Sequence, residues 1–188
     1  MSNMKIKIGV MGSAGDTLPE AAAEGLREKA EALGRAIAAR DVVLLTGATT
    51  GATYMVGRAA REAGAFHIGV SPAENVREHV EGFRLPTDAC DAIIYTGFGL
   101  KGRNVVLVRS CDIVLFISGS MGTLNEFTIA HDEGRVIGCL TKTGGVADEA
   151  ERLMEIFSKH TRSVVLHGDD PIRLVNACIE ALHQMEEE

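Results

Sequence analysis

Thr96 to Glu126 reads TGFGLKGRNVVLVRSCDIVLFISGSMGTLNE, and this stretch decides the fold. A glycine-rich segment, 96–102, leads into an apolar helix predicted over 103–110. An unbroken apolar strand is predicted over 112–117, followed by a turn through 118–123 where the next helix begins. A strand this apolar is typical of a parallel sheet that is covered on both faces. A strand, a glycine turn and a helix start together form a common anion site, because unpaired N–H groups and the helix dipole converge there.

The rest of the chain repeats this alternation of short apolar strands and amphipathic helices. A capping box formed by Thr17 and Glu20 predicts the start of the first helix. The pattern predicts an α/β fold with a doubly wound, mostly parallel sheet of about seven strands and helices on both faces. No linker or repeat divides the chain, so we expect one domain over residues 1–188. The strands are predicted at residues 5–11, 42–46, 66–70, 92–95, 112–117, 135–140 and 163–167.

Composition excludes several classes of partner. The net charge of −7 and the lack of Trp argue against a nucleic-acid surface, which needs clustered basic residues and stacking aromatics. No apolar run approaches the roughly 18 residues of a membrane span, and no signal-peptide core is present, so we expect a cytoplasmic protein. Four cysteines without a CxxC pair and six scattered histidines predict buried or rim residues and no metal site.

The glycine-rich turns after the first, second, fourth and fifth strands should meet at one crevice, beyond the carboxyl ends of the strands. There the N–H groups of Gly122 and Thr123, with the Thr123 hydroxyl, would bind a phosphate, and Arg103 would offer a planar fork of donors. Glu126 would be repelled by phosphate, so it is expected to face a sugar, where it could activate water. We therefore predict Arg103 and Glu126 as catalytic residues. The predicted ligand-binding residues are Gly12, Ser13, Gly47, Gly99, Asn104, Gly119, Ser120, Met121, Gly122 and Thr123.

Structural roles compete with these assignments. Thr123 and Glu126 have the spacing of a capping box, and Arg103 could form an ordinary surface ion pair. A serine hydrolase is a remote alternative, with Ser120 in an elbow-like turn and Asp148 and His167 following in the order of a triad.

Nucleotide-binding motifs of two common classes are absent from the sequence. The first turn has glycines at positions 9, 12 and 15, which is not GxGxxG, and the second strand ends without an acid to bind a ribose hydroxyl. No GxxxxGK[ST] motif occurs, so the sequence disfavours both NAD and ATP chemistry.

The spacing of Arg103 and the segment 118–126 resembles the LOG (Lonely Guy) family, also filed as "lysine decarboxylase-like". Its signature is an Arg-Lys pair followed one strand later by PGGxGTxxE. Similarity extends to the GVMGSAG opening, the TGATTGATYMVGRAA segment and GVSP. The TGFG segment with Arg103-Asn104 is most similar to the molybdenum-cofactor-carrier-like branch. Ser118, Ser120 and Asn104 stand where the main pattern has proline, glycine and lysine.

The resemblance implies a Rossmann-like nucleotide-binding domain, a phosphate-bearing nucleotide-like ligand, and a homodimer or higher homo-oligomer. Two functions follow from it. One is hydrolysis of the N-glycosidic bond of nucleoside 5′-monophosphates. The other is non-catalytic carriage or sensing of a pterin (molybdenum) cofactor. Neither requires a cofactor for activity, although a bound nucleotide or pterin is expected as ligand. With six lysines and none in a pyridoxal-phosphate setting, lysine decarboxylation is not expected.

Overall fold

The computed structural model describes residues 4–14 and 20–187. Its seven strands form one sheet in the order β4-β3-β2-β1-β5-β6-β7, and every neighbouring pair is parallel. The prediction of a doubly wound α/β fold of about seven strands is confirmed. The strands are β1 (Ile6–Gly12), β2 (Val42–Thr46), β3 (Phe66–Ser71), β4 (Ala92–Tyr95), β5 (Ile113–Ile117), β6 (Val136–Leu140) and β7 (Val164–Gly168).

Six α-helices cover the two faces of the sheet. The strand β5 shows why both faces need cover: Ile113, Leu115 and Ile117 point into one core, while Val114 and Phe116 point into the other. The first core is closed by α1 (Glu20–Ala38), α2 (Ala52–Glu62) and α6 (Pro171–Glu187). The second is closed by α3 (Gly99–Arg109), α4 (Met121–Asp132) and α5 (Gly145–Ile156). No helix within the described ranges is long and apolar enough to span a membrane.

Several helix boundaries differ from the predicted ones. The helix α3 starts at Gly99, because residues 99–102 form its first turn despite their glycines. The helix α4 starts at Met121 rather than Thr123. The polar segment after β3, predicted as a short helix and a loop, contains one π-helical turn, Glu78–Gly82. The predicted capping residue Thr17 lies outside the described residues.

Candidate functional site

The site lies at the centre of the sheet, where the strand order reverses. The strands β1 and β5 are neighbours, and Gly12 pairs with Ile117 at their carboxyl ends. Consecutive connections leave this pair in opposite directions, which opens a crevice at the switch point of such sheets. A cavity of about 150 Å³ lies there. It is lined by Val10, Met11, Gly12, Ala14, Gly47, Thr49, Thr53, Leu100, Lys101, Arg103, Asn104, Ser120, Gly122, Thr123 and Glu126.

Arg103 is the most unusual residue of this cavity. It is only 5% exposed, and its Nη1 donates a hydrogen bond to the Val70 carbonyl oxygen over 3.2 Å. Its buried Nε has no hydrogen-bond partner within the described chain. Burial lowers the pKa of Arg103, and the charge of Glu126 opposes that shift. The guanidinium is therefore a buried cation with donor capacity to spare, and a surface ion pair is ruled out as its role.

Glu126 is buried beside this cation without forming a close ion pair. No carboxylate lies within 4.0 Å of the Arg103 guanidinium in the part of the chain that the structure describes. Glu126 is 7% exposed, and burial raises its pKa to about 7 against the opposing charges of Arg103 and Lys101. Near neutral pH this carboxyl group exists in both protonation states, which suits proton transfer.

Asn104 positions the Glu126 carboxyl group. The main-chain oxygen of Leu100 can only accept, so the amide nitrogen of Asn104 faces it, at 2.9 Å. The same nitrogen then donates to Glu126 Oε1 over 3.1 Å. The other atom of the amide contacts the side chain of Asn125 at 2.9 Å. Asn104, itself 3% exposed, thus connects α3 to α4 across the cavity.

The first turn of α4 faces the cavity with free donors. Ser120 is the N-cap residue, and its N–H group donates to Thr123 Oγ1 over 3.3 Å. The capping box is therefore formed by Ser120 and Thr123, and the alternative box of Thr123 and Glu126 is wrong. The N–H groups of Met121 and Gly122 have no acceptor inside the helix, because they belong to its first turn. The Thr123 hydroxyl oxygen accepts in the cap and keeps its own O–H donor, so it can join the main-chain N–H groups as a donor to an anion.

Glycine at two positions makes room for these groups. A Cβ atom at Gly47 would lie 1.8 Å from Arg103 Nη1, so the guanidinium rests directly against the main chain of the turn after β2. A Cβ atom at Gly12 would lie 2.5 Å from the Ile117 carbonyl oxygen. Both turns therefore approach the cavity as bare backbone.

The structure brings most of the predicted site residues together. Eight of them line the cavity: Gly12, Gly47, Arg103, Asn104, Ser120, Gly122, Thr123 and Glu126. Four do not line it. Ser13 accepts a hydrogen bond from Ala52 N at the start of α2, and Gly99 donates to the Pro72 oxygen. Gly119 packs against Gly145, and Met121 is 76% exposed.

Sequence reasoning missed three polar residues of the cavity. Thr49 and Thr53 place their hydroxyl oxygens 3.1 Å apart where β2 leads into α2. Lys101 lies in the first turn of α3, one turn before Asn104. The sequence predicted that this helix begins at Arg103, which left Lys101 outside it. Residues three apart share a helix face only if both are helical, so the prediction could not place Lys101 on the same face as Asn104.

The structure does not assemble a serine-hydrolase triad. Both carboxylate oxygens of Asp148 accept main-chain N–H groups, from Lys142 at 2.6 Å and Gly144 at 2.8 Å. His167 lies exposed on β7, and no hydrogen bond connects it to Ser120 among the described residues.

The other titratable candidates are structural. His67 is buried between Thr46 and Ala89, and burial lowers its pKa. The four cysteines are free, and burial raises the pKa of each to about 12. No group of three or more metal-ligating side chains occurs among the described residues.

An all-parallel sheet of seven strands, flanked by helices and with a crevice at its switch point, defines a Rossmann-like α/β protein. The model of the SLOG cluster4 family matches residues 5–174, and the chain belongs to that family. The predicted LOG-like family is thereby confirmed.

The chain is also similar to two individual proteins. An uncharacterized protein of Archaeoglobus fulgidus is 29% identical over 108 residues, 57% of this chain and 66% of that relative. The solved structure of TM1055 has a TM-score of 0.79 at 24% identity, covers 94% of this chain and 99% of its own, and shows the shared fold.

Two further similar structures are those of proteins named for molybdenum cofactor. The molybdenum cofactor binding protein of Rippkaea orientalis is 27% identical, with a TM-score of 0.73, over 98% of this chain and 99% of its own. The molybdenum cofactor carrier protein of Chlamydomonas reinhardtii is 25% identical, with a TM-score of 0.74, over 96% and 99%. The similarity to the carrier-like branch is confirmed.

Proposed function

We propose that this protein binds a phosphate-bearing, nucleotide-like or pterin-like small molecule, with the phosphate between Arg103 and the first turn of α4. The observation that carries the proposal is the buried Arg103 guanidinium, whose Nε has no partner in the described chain. A buried donor on a cation is costly when it is left unpaired. An anionic ligand would supply the missing acceptor.

The cavity suits one end of such a ligand. Pockets that enclose a drug-sized molecule measure about 300–1,000 Å³, whereas this cavity measures about 150 Å³. It therefore accommodates a phosphate-sized group, and the remainder of the ligand lies toward its mouth. The N–H groups of Met121 and Gly122 and the dipole of α4 favour negative charge there.

Carriage without chemistry is the function that these observations support best. Two of the similar proteins are a molybdenum cofactor binding protein and a molybdenum cofactor carrier protein. The cofactor would be cargo, so the protein needs no metal ligands of its own and only has to hold the anionic end. Asn104 in place of the lysine of the LOG pattern is consistent with a site that binds and releases an intact molecule.

Hydrolysis is a second candidate, favoured by Glu126. A buried carboxyl group with a pKa of about 7, oriented by Asn104, has the properties of a general base. Water would attack the sugar C1′ atom and give a proton to Glu126, the C1′–N bond would break, and the leaving base would take up a proton. The products would be a free base and ribose 5-phosphate.

One experiment separates the two functions. The purified protein is titrated with a panel of nucleoside 5′-monophosphates, and each mixture is analysed by chromatography for free base. Binding without base release from any of them assigns carriage. Base release that Glu126→Gln abolishes assigns hydrolysis. In a second measurement, the purified protein is denatured and any released pterin is identified by mass spectrometry. If no nucleotide of the panel binds and no pterin is released, the shared proposal is contradicted.

We also propose that the protein forms a homodimer through the helices that flank the site. Large apolar side chains are exposed on or beside α3 and α4, namely Phe98, Leu100, Val105 and Met121. These helices also carry Arg103 and Glu126, so an interface there would hold both walls of the site in place.

A further inference from the structure

We infer that Lys101 is a ligand-binding residue, the second cation that contacts the phosphate over the first turn of α4. This inference rests on the proposed function, because it concerns the same anion. It begins with the hydrogen bonds of the lysines. The exposed ammonium group of Lys101 has no hydrogen bond and no ion pair within residues 4–14 and 20–187. The other lysines are all engaged: Lys5, Lys7, Lys142 and Lys159 pair with aspartates, and Lys29 donates to two main-chain oxygens.

The place of Lys101 directs it at the cavity. Lys101 lines the cavity, and its Nζ is 3.6 Å from where a Cβ atom at Gly122 would lie. The ammonium group therefore lies beside the first turn of α4. In that turn the N–H groups of Met121 and Gly122 have no acceptor within the helix. The Lys101 ammonium group and the start of α4 therefore border the same cavity.

This arrangement is electrostatically unfavourable without a ligand. A lysine in the first turn of α3 faces the positive end of that helix dipole, where an acid is preferred. Neither α3 nor α4 has an acidic residue in its first turn. Two helix starts, Lys101 and the buried Arg103 thus place positive charge around one cavity. Glu126, the acid that lines the cavity, is buried with a pKa raised to about 7, so near neutral pH it is only partly ionised and offsets only part of this charge.

Lys101 and Asn104 lie three residues apart on α3, and both line the cavity. Residues three apart lie on the same helix face. Lys101 is therefore one turn before the residue that orients Glu126, on the face of α3 that borders the cavity.

The test compares Lys101→Gln with the wild type, using inorganic phosphate and adenosine 5′-monophosphate as probes. Affinity is measured by NMR titration of the backbone amides of residues 121–123 at low and at physiological ionic strength. We expect Lys101→Gln to weaken binding about 5- to 10-fold at low salt and to reduce the salt dependence, because one screened ionic contact is lost. Lys101→Arg should keep most of the affinity. The matched control is Lys5→Gln, which removes an exposed lysine at the opposite end of β1 and should not change binding.

The outcomes separate this inference from the proposed function. Wild-type protein that binds neither inorganic phosphate nor any nucleoside 5′-monophosphate, and that releases no pterin on denaturation, contradicts the function itself. If the wild type binds either and Lys101→Gln binds equally well, the function stands and the role of Lys101 is overturned. Loss of affinity in Lys101→Gln with an unchanged amide spectrum of the free protein excludes a folding defect and supports the assignment.

Discussion

At the residue scale, Arg103 shows a conflict between stability and binding. Its guanidinium is buried, lacks a partner at Nε in the described chain, and makes one hydrogen bond to Val70. Removing one partner of a buried charge pair destabilises a protein when the other charge is left uncompensated, whereas removing both charges is often neutral or stabilising. Glu126 has a pKa of about 7 and can take up a proton once the cation is gone, so Arg103→Met leaves no uncompensated buried charge in the cavity. We therefore expect Arg103→Met to raise the free energy of unfolding by about 1 kcal/mol and to abolish phosphate binding. Urea unfolding and calorimetric titration measure the two effects.

The control for this prediction is Arg58→Met, on the exposed side of α2. Arg58 pairs with Glu62 at 2.8 Å, and exposed pairs contribute little, so both stability and binding should change only slightly. If Arg103→Met is destabilised by several kcal/mol relative to this control, Arg103 is a structural residue and the argument for an anion site loses its main support.

Glu126 makes stability depend on pH in a defined direction. Its folded pKa of about 7 lies above the ordinary value of 4.5, so the native state binds more protons between these values than the unfolded chain does. The associated stability is fully present below pH 4.5 and is lost as the pH rises through 7. The loss amounts to about 3 kcal/mol over this window. Glu126→Gln lacks the titration and should become more stable than the wild type as the pH rises.

Urea unfolding of both proteins at pH 5 and pH 8 measures this effect. Glu62→Gln serves as the control, because Glu62 is exposed and should leave the pH profile of the wild type unchanged. A stability difference between Glu126→Gln and the wild type that is the same at both pH values would mean that the carboxyl group is not held in a poorly solvated site.

At the element scale, the turn after β2 positions the arginine of a distant helix. A Cβ atom at Gly47 would lie 1.8 Å from Arg103 Nη1, so the guanidinium must move when a side chain is placed there. We expect Gly47→Ala to displace Arg103 and weaken phosphate binding at least about 10-fold, which corresponds to about 1.4 kcal/mol. The measurement is a calorimetric titration with adenosine 5′-monophosphate. The arginine itself is still present in this variant, so the effect would report its position.

Gly25→Ala is the matched substitution on α1. Nothing lies within 4 Å of a Cβ atom there, and alanine is preferred over glycine in a helix by about 0.5–1 kcal/mol. This variant should bind normally and be slightly more stable. Normal binding by Gly47→Ala would show that Arg103 tolerates another position, and the site would not depend on that turn.

The same scale shows which parts of the fold the sequence could predict. The strand β5 was predictable because a short, unbroken apolar run followed by a glycine turn is typical of a buried strand. The start of α3 could not be predicted, because Gly99 and Gly102 disfavour a helix. Packing of α3 against the sheet compensates for this low helix propensity, and the sequence does not show that packing. That error concealed Lys101. Ser118 was identified as a departure from the PGG pattern, but its φ of 56°, which a proline ring excludes, required the structure.

At the scale of the whole molecule, the sheet provides rigidity where the site is least stable. The strands β1 and β5 are buried between two apolar cores, so their carboxyl ends are fixed on both faces. The buried charges of Arg103 and Glu126 are attached to helices that pack on this frame. Functional sites commonly retain such unfavourable groups, and the surrounding core compensates for them. The predicted gain of stability in Arg103→Met has the same cause, because the substitution removes one of these unfavourable buried charges.

The proposed homodimer gives the last prediction. Val105 is 43% exposed on α3, inside the proposed interface. Ile172 is an exposed apolar residue on α6, outside the proposed interface, and serves as the control. An interface across α3 and α4 would bury Val105, and a lysine there would place a charge among apolar partners. We expect Val105→Lys to reduce the mass found by light scattering from about twice the chain mass of 20.0 kDa to that of one chain. Ile172→Lys should leave the dimer intact. A wild type that remains monomeric at about 100 μM, or a Val105→Lys variant that still dimerises, would place the contact elsewhere or remove it.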